Sequence, residues 1–140
     1  MAQIQTVRPL SPHLGIYRWQ IQMVTSIVHR ATGIALSVGL LVVTWALLAL
    51  ARGESAWHAF TACAGSVIGI ILLVGWSWSL FYHLCNGIRH LLQDAGLGFR
   101  NKSRKLSQNQ GTYVRSSWLA VVGSIVLTII AWVAVWGVLA

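Results

Sequence analysis

The chain has 140 residues, 56% of them hydrophobic and only 9% charged, with eight tryptophans. A soluble domain carries about 25% charged residues, so an ordinary water-soluble globule is excluded and an all-α integral membrane protein is indicated, because helices satisfy every backbone polar group within lipid. Ten basic residues against two acidic ones give a net charge of +8, but they flank apolar runs, which points to orientation in a lipid bilayer and not to nucleic acid.

Met1 to Gln20 is polar and contains both prolines. It has no apolar core and no Arg/Ser-rich transit character, so neither a secretory signal peptide nor a mitochondrial leader is expected, and a bacterial inner membrane is favoured. The first uncharged run, Ala31 to Ala51, ends at Arg52 and predicts a spanning helix over roughly 26–51. The second, Ser55 to Ile88, ends at Arg89 and predicts one continuous helix over roughly 57–90 that projects beyond the membrane at its Asp94 end, with Gly96 and Gly98 as the stop. "RNKSRKLSQNQ", Arg100 to Gln110, reads as a basic loop. The third run, Ser116 to Ala140, predicts a helix over 116–139. Each run meets the roughly 20 residues needed to cross a bilayer, and together they form a single membrane-anchor domain, 1–140.

Charge counting orients the three helices. Arg8, Arg18 and Arg30 precede the first. Arg89, Arg100, Lys102, Arg104, Lys105 and Arg115 lie between the second and third, and Arg52 alone lies between the first and second. The positive-inside rule then places the N-terminus in the cytoplasm and the C-terminus in the periplasm. Cys63 and Cys85 form neither CxxC nor CxxCH, which supports two buried thiols over a zinc site or covalent haem attachment.

The second run carries the chemistry. On a continuous helix, Gly65, Gly69, Leu72, Trp76, Ser79, Gly87, His90 and Asp94 all fall within about 40° of His83. Small residues on such a stripe allow close approach. Gly65 and Gly69 suggest a helix-packing notch, and Gly87 suggests space beside the His83 imidazole for a flat macrocycle. An ionisable group within a membrane costs about 2.5–3.5 kcal/mol on insertion scales, so a function is the default expectation. Three readings of His83 stand at this level: an axial haem ligand, a bond to a neighbouring helix carbonyl, or a proton relay. His90 sits two turns along, too far to bind the same iron, and suits the headgroup level or a propionate. Asp94 suits an ion pair more than a proton relay.

A second cluster, "TSIVHRATG" from Thr25 to Gly33, sits at the mouth of the first helix. Ser26 and Arg30 are four apart and share a face. Both can donate to a carbonyl oxygen, and His29 and Arg30 can neutralise acidic groups, arginine being the better carboxylate clamp. The plainer reading is a positive-inside anchor. His58, beside Trp57, reads as interfacial, and His13 has no assigned role.

Two stretches resemble a known family. "RPLSPHLGIYRWQIQMVTSIVHRATGIAL", Arg8 to Leu36, and "SLFYHLCNGIRHLLQDAG", Ser79 to Gly96, look like the first and second helices of the cytochrome b membrane-anchor subunit of succinate dehydrogenase, respiratory complex II. The resemblance implies three transmembrane helices packed with a sister anchor subunit, and one haem b shared between the two. His83 would be an axial ligand to the haem iron, and His29 and Arg30 would lie near its propionates. Ser26, Arg30 and Trp19 would line a ubiquinone site facing an iron–sulfur subunit. Succinate would be oxidised on a flavoprotein subunit, not on this chain. A fumarate reductase anchor, a haem-free structural anchor and a small proton channel are the competing readings. The C-terminal third matches by hydropathy alone.

Overall fold

The computed structural model describes residues 18–96 and 106–139. Four helices follow in chain order: α1 (Ile21–Arg52), α2 (Glu54–Ala64), α3 (Val67–Asp94) and α4 (Leu106–Leu139). Among the described residues there is no strand. Three helical segments are long and apolar enough to cross a membrane, Ile21–Arg52, Val67–Asp94 and Gly111–Val138. The all-α, three-span architecture expected from composition is therefore present. His13, Gly98 and the stretch 100–105 of the expected basic loop lie outside the described residues.

Helix α1 starts five residues before the expected 26, and two further boundaries differ from the hydropathy reading. The continuous middle helix is broken: α2 ends at Ala64 and α3 begins at Val67. Ser66 makes the break. Its hydroxyl donates to the Cys63 carbonyl at 2.7 Å and accepts from the Gly69 N–H at 3.1 Å, capping one of the orphan donors at the start of α3. A side chain at Gly69 would meet the returning carbonyls of Cys63 and Ala64. Gly65 and Gly69 thus serve this local turn and not an interhelical notch. The other difference lies in α4, which starts at Leu106, ten residues before the expected 116. Its first turn arises from what hydropathy marked as loop, because polarity sets where apolar burial ends, not where helical hydrogen bonding begins.

At the far end of α1, Gly53 adopts φ +103°, a conformation open to glycine without the Cβ clash. The chain turns there directly into α2, whose Phe60 ring meets Trp45 of α1 edge-on, 5.0 Å between centroids. At the other end of the bundle, Gly96 takes φ +75° after α3. The Ala95 N–H bonds to the Leu91 carbonyl and the Gly96 N–H to that of Gln93, which is the stop expected there.

Helix α3 packs on both α1 and α4, and α1 also touches α4. Among the described residues the buried apolar side chains are Ala49, Tyr82 and Ala120. The buried polar ones are Thr25, Thr32, Ser79, Asn86, Arg89, Ser117, Ser124 and Thr128. Leucine, isoleucine, valine and tryptophan side chains populate the outside. This inversion of the soluble pattern follows from the solvent. Lipid is as apolar as leucine, so small and polar residues gain by facing one another, and large apolar ones lose nothing outside.

Candidate functional site

The α1–α3 seam holds the histidines. His83 Nδ1 lies 3.1 Å from the His29 carbonyl oxygen and 3.3 Å from Thr32 Oγ1. A carbonyl oxygen only accepts, so Nδ1 carries the proton and donates. The Thr32 hydroxyl donates its own hydrogen to the same carbonyl at 2.9 Å and so accepts from Nδ1. The hydrogen-bond network therefore assigns His83 the tautomer whose Nε2 has an open lone pair. A metal-ligating histidine is oriented in this way, its second ring nitrogen donating to a carbonyl.

The neighbouring histidines converge on the same point. The His29 ring stacks on His83 with centroids 3.9 Å apart and planes 13° from parallel. The His90 ring lies 5.4 Å from that of His29, tilted by 53°. His29 Nδ1 is buried without a hydrogen-bond partner among the described residues, a cost that persists only where something else repays it. Among the described residues no group of three or more His, Cys, Asp or Glu is placed to hold a metal ion. The one ring nitrogen left open, Nε2 of His83, would suit a group that takes a single imidazole from this chain, as a haem iron can.

Space at His83 comes from the opposite helix. A Cβ at Gly33 of α1 would stand 3.2 Å from His83 Cε1, tighter than an ordinary contact, whereas at Gly87 the nearest atom is His29 Cε1 at 3.8 Å. Gly33 thus lets α1 close on the His83 ring, and the space at Gly87, expected from the sequence to admit a flat macrocycle, meets only His29 Cε1. Further along the seam, the Trp76 indole occupies the place of a side chain at Gly39.

The other expected site residues are placed as follows. Ser26 and Arg30 lie on the second and third turns of α1, Ser26 half-buried and Arg30 exposed. Trp19 precedes the helix and is 68% exposed, so its seven-residue spacing from Ser26 does not translate into a shared helical face. Asp94 is exposed at the end of α3. His58 meets Glu54 at 3.5 Å, both side chains largely exposed, and such a pair contributes little.

Three features of the seam escaped the sequence reading. Thr32 is 4% exposed and bonds the key histidine. Buried Tyr82 donates its hydroxyl to the Thr25 carbonyl of α1 at 3.0 Å, one residue before Ser26. Arg89, counted above as an orientation charge, is buried and donates through Nε to Asn86 Oδ1 at 2.8 Å. The spacing Tyr82, Asn86, Arg89 marks a second helical stripe beside the histidine stripe, and it was there to be read.

The model of the family described as succinate dehydrogenase/fumarate reductase transmembrane subunit matches residues 5–131. The chain is 41% identical over 131 residues to the succinate dehydrogenase cytochrome b556 subunit of Rickettsia felis, covering 94% of this chain and 95% of that protein. It is 38% identical over 123 residues to the cytochrome b556 subunit of Paracoccus denitrificans, 88% of each chain. To the mitochondrial cytochrome b560 subunit of Sus scrofa it is 46% identical over 93 residues, 65% of this chain and 55% of that one.

Proposed function

We propose a function from one premise: the chain belongs to the succinate dehydrogenase/fumarate reductase transmembrane subunit family and is a multi-pass protein of a bacterial inner membrane. It anchors a succinate:ubiquinone oxidoreductase. With a sister anchor subunit it holds one haem b, and it forms part of the site where quinone is reduced with electrons from succinate. A flavoprotein subunit and an iron–sulfur subunit complete the complex. The N-terminus and the α3–α4 connection face the cytoplasm, and the C-terminus faces the periplasm.

The observation that carries this reading is His83 on α3, its Nδ1 tied to the His29 carbonyl, which leaves Nε2 the nitrogen that could bind iron. A haem bound there supplies a one-electron carrier beside the quinone. His83 would hold the haem iron through Nε2, and His29 and Arg30 would meet the propionates, a guanidinium being the better clamp for carboxylates. Ser26 donates from its hydroxyl to a quinone carbonyl oxygen. Arg30, one turn along, stabilises the negative charge that builds on that oxygen as electrons arrive. Trp19 covers the entrance, contributing apolar surface to the quinone ring.

Reduced-minus-oxidised spectra of the purified complex test the reading. A b-type band is expected in the wild type, and its loss or weakening in His83→Ala with the chain still inserted. An unchanged band in that variant removes His83 from the ligand role, and no band in the wild type leaves a haem-free anchor. Arg30→Ala should lower quinone reduction roughly ten- to a hundredfold, as expected for one charged hydrogen bond, while succinate oxidation by an artificial acceptor persists.

A further inference from the structure

We infer that Thr32 is a positioning residue for the redox centre: its hydroxyl holds the ring angle and tunes the donor strength of His83, whose tautomer the His29 carbonyl fixes. The inference rests on His83 being the haem ligand proposed above.

The geometry is a closed triangle inside the α1–α3 seam. The Thr32 hydroxyl donates to the His29 carbonyl at 2.9 Å, and the His83 Nδ1–H reaches both that carbonyl at 3.1 Å and Thr32 Oγ1 at 3.3 Å. Thr32 is buried, so no water competes for these bonds. Threonine is suited to the position in two ways. Its hydroxyl bonds back to the carbonyl three residues earlier, as helical threonines do. Its β-branch restricts χ1, so the oxygen that faces His83 is held. Gly33, the next residue, lets α1 approach until the ring sits against it: a Cβ there would be 3.2 Å from His83 Cε1. Thr32 supplies the acceptor and Gly33 the proximity.

The chemical consequence concerns electron donation. An imidazole whose Nδ1–H is given to acceptors is a more basic ligand at Nε2, and a more basic ligand favours the ferric over the ferrous state. Thr32 thus lowers the reduction potential of the centre and fixes the plane of the ring against the iron. It touches neither quinone nor iron.

The test compares Thr32→Val, which keeps the shape and removes the hydroxyl, with Thr32→Ser, which keeps the hydroxyl. Both are measured in the assembled complex by haem content, redox titration and low-spin electron paramagnetic resonance. Thr32→Val is expected to raise the potential by about a threefold change in the ferrous-to-ferric ratio at fixed poise, about 28 mV at 59 mV per tenfold for one electron, and to shift the resonance g-values. Thr32→Ser should restore both. If Thr32→Val instead loses haem and Thr32→Ser regains it, the assignment also stands. It is overturned if Val leaves potential and g-values at wild-type values, or if Ser behaves as Val does, since side-chain packing and not the hydroxyl would then be responsible. Absence of haem from the wild-type complex, or an unchanged spectrum in His83→Ala, overturns the proposed function itself and is read separately.

Discussion

The two faces of α3 are built on different principles. Toward α1, polar groups cross the seam: Tyr82 reaches the Thr25 carbonyl and His83 reaches the His29 carbonyl. Buried polar atoms there also lack partners among the described residues, His29 Nδ1 and the Trp76 indole nitrogen among them. Toward α4, the buried hydroxyls turn back on their own helix. Ser117 bonds to the Tyr113 carbonyl, Ser124 to that of Val121 and Thr128 to that of Ser124. A cleft of about 350 Å³ beside Arg89, Cys85 and Leu119 remains on that side. The difference separates a seam joined by cross-helix bonds from one whose hydroxyls are satisfied within their own helix. Self-satisfied hydroxyls reduce the bulk between helices without specifying a register, whereas cross-helix bonds specify one.

Substitutions on either seam can break this comparison. The largest effect is expected from Gly39→Ala. The new methyl would take space held by Trp76, and overpacking of this kind costs about 1–3 kcal/mol, here toward the upper end because a whole indole must move. Thermal unfolding of the detergent-solubilised complex measures it. The matching control is Gly123→Ala on the α4 side, where the nearest atom, Cys85 Sγ, would be an ordinary 3.8 Å away. Little change is expected there, and an equal loss at both sites would erase the distinction.

A smaller loss, about 1–2 kcal/mol, is expected from Gly33→Ala, since His83 cannot retreat without lengthening its bond to the His29 carbonyl. Lower haem retention at unchanged subunit yield would report it. Tyr82→Phe should cost about 0.6 kcal/mol and not more than about 1.7, the range measured for interhelical bonds in membranes. It should lower quinone-linked turnover more than artificial-acceptor turnover, because the bond it removes holds the turn carrying Ser26. Smallest of all is Ser124→Ala, expected below about 0.6 kcal/mol because its hydroxyl spans no seam. A larger loss of thermal stability in Ser124→Ala than in Tyr82→Phe would reverse the assignment of the two faces.

The fold was largely legible in advance, and the reason is the solvent. Three apolar runs of membrane length admit few structures other than helices, and composition alone identified the class. Boundaries were less legible. The break at Gly65–Ser66 is a capping event, visible as Gly-Ser once suspected but silent in hydropathy, and α4 extends to Leu106 because polar residues form helix as readily as apolar ones. The site was legible in part: His83, His29, Ser26 and Arg30 stood out as polar residues at helix mouths, while Thr32 looked like an unremarkable neighbour of Gly33.

By itself the order of residues determined the medium, the number of spans and which imidazole was worth watching, since these depend on local composition and on the 3.6-residue period. Only the packing of α1 against α3 decided which atoms meet. The carbonyl that assigns the His83 tautomer, the hydroxyl beside it and the glycine that makes room all belong to the other helix, fifty or more residues away in the chain. A periodic pattern on one helix says which way a side chain faces, but not what it finds there.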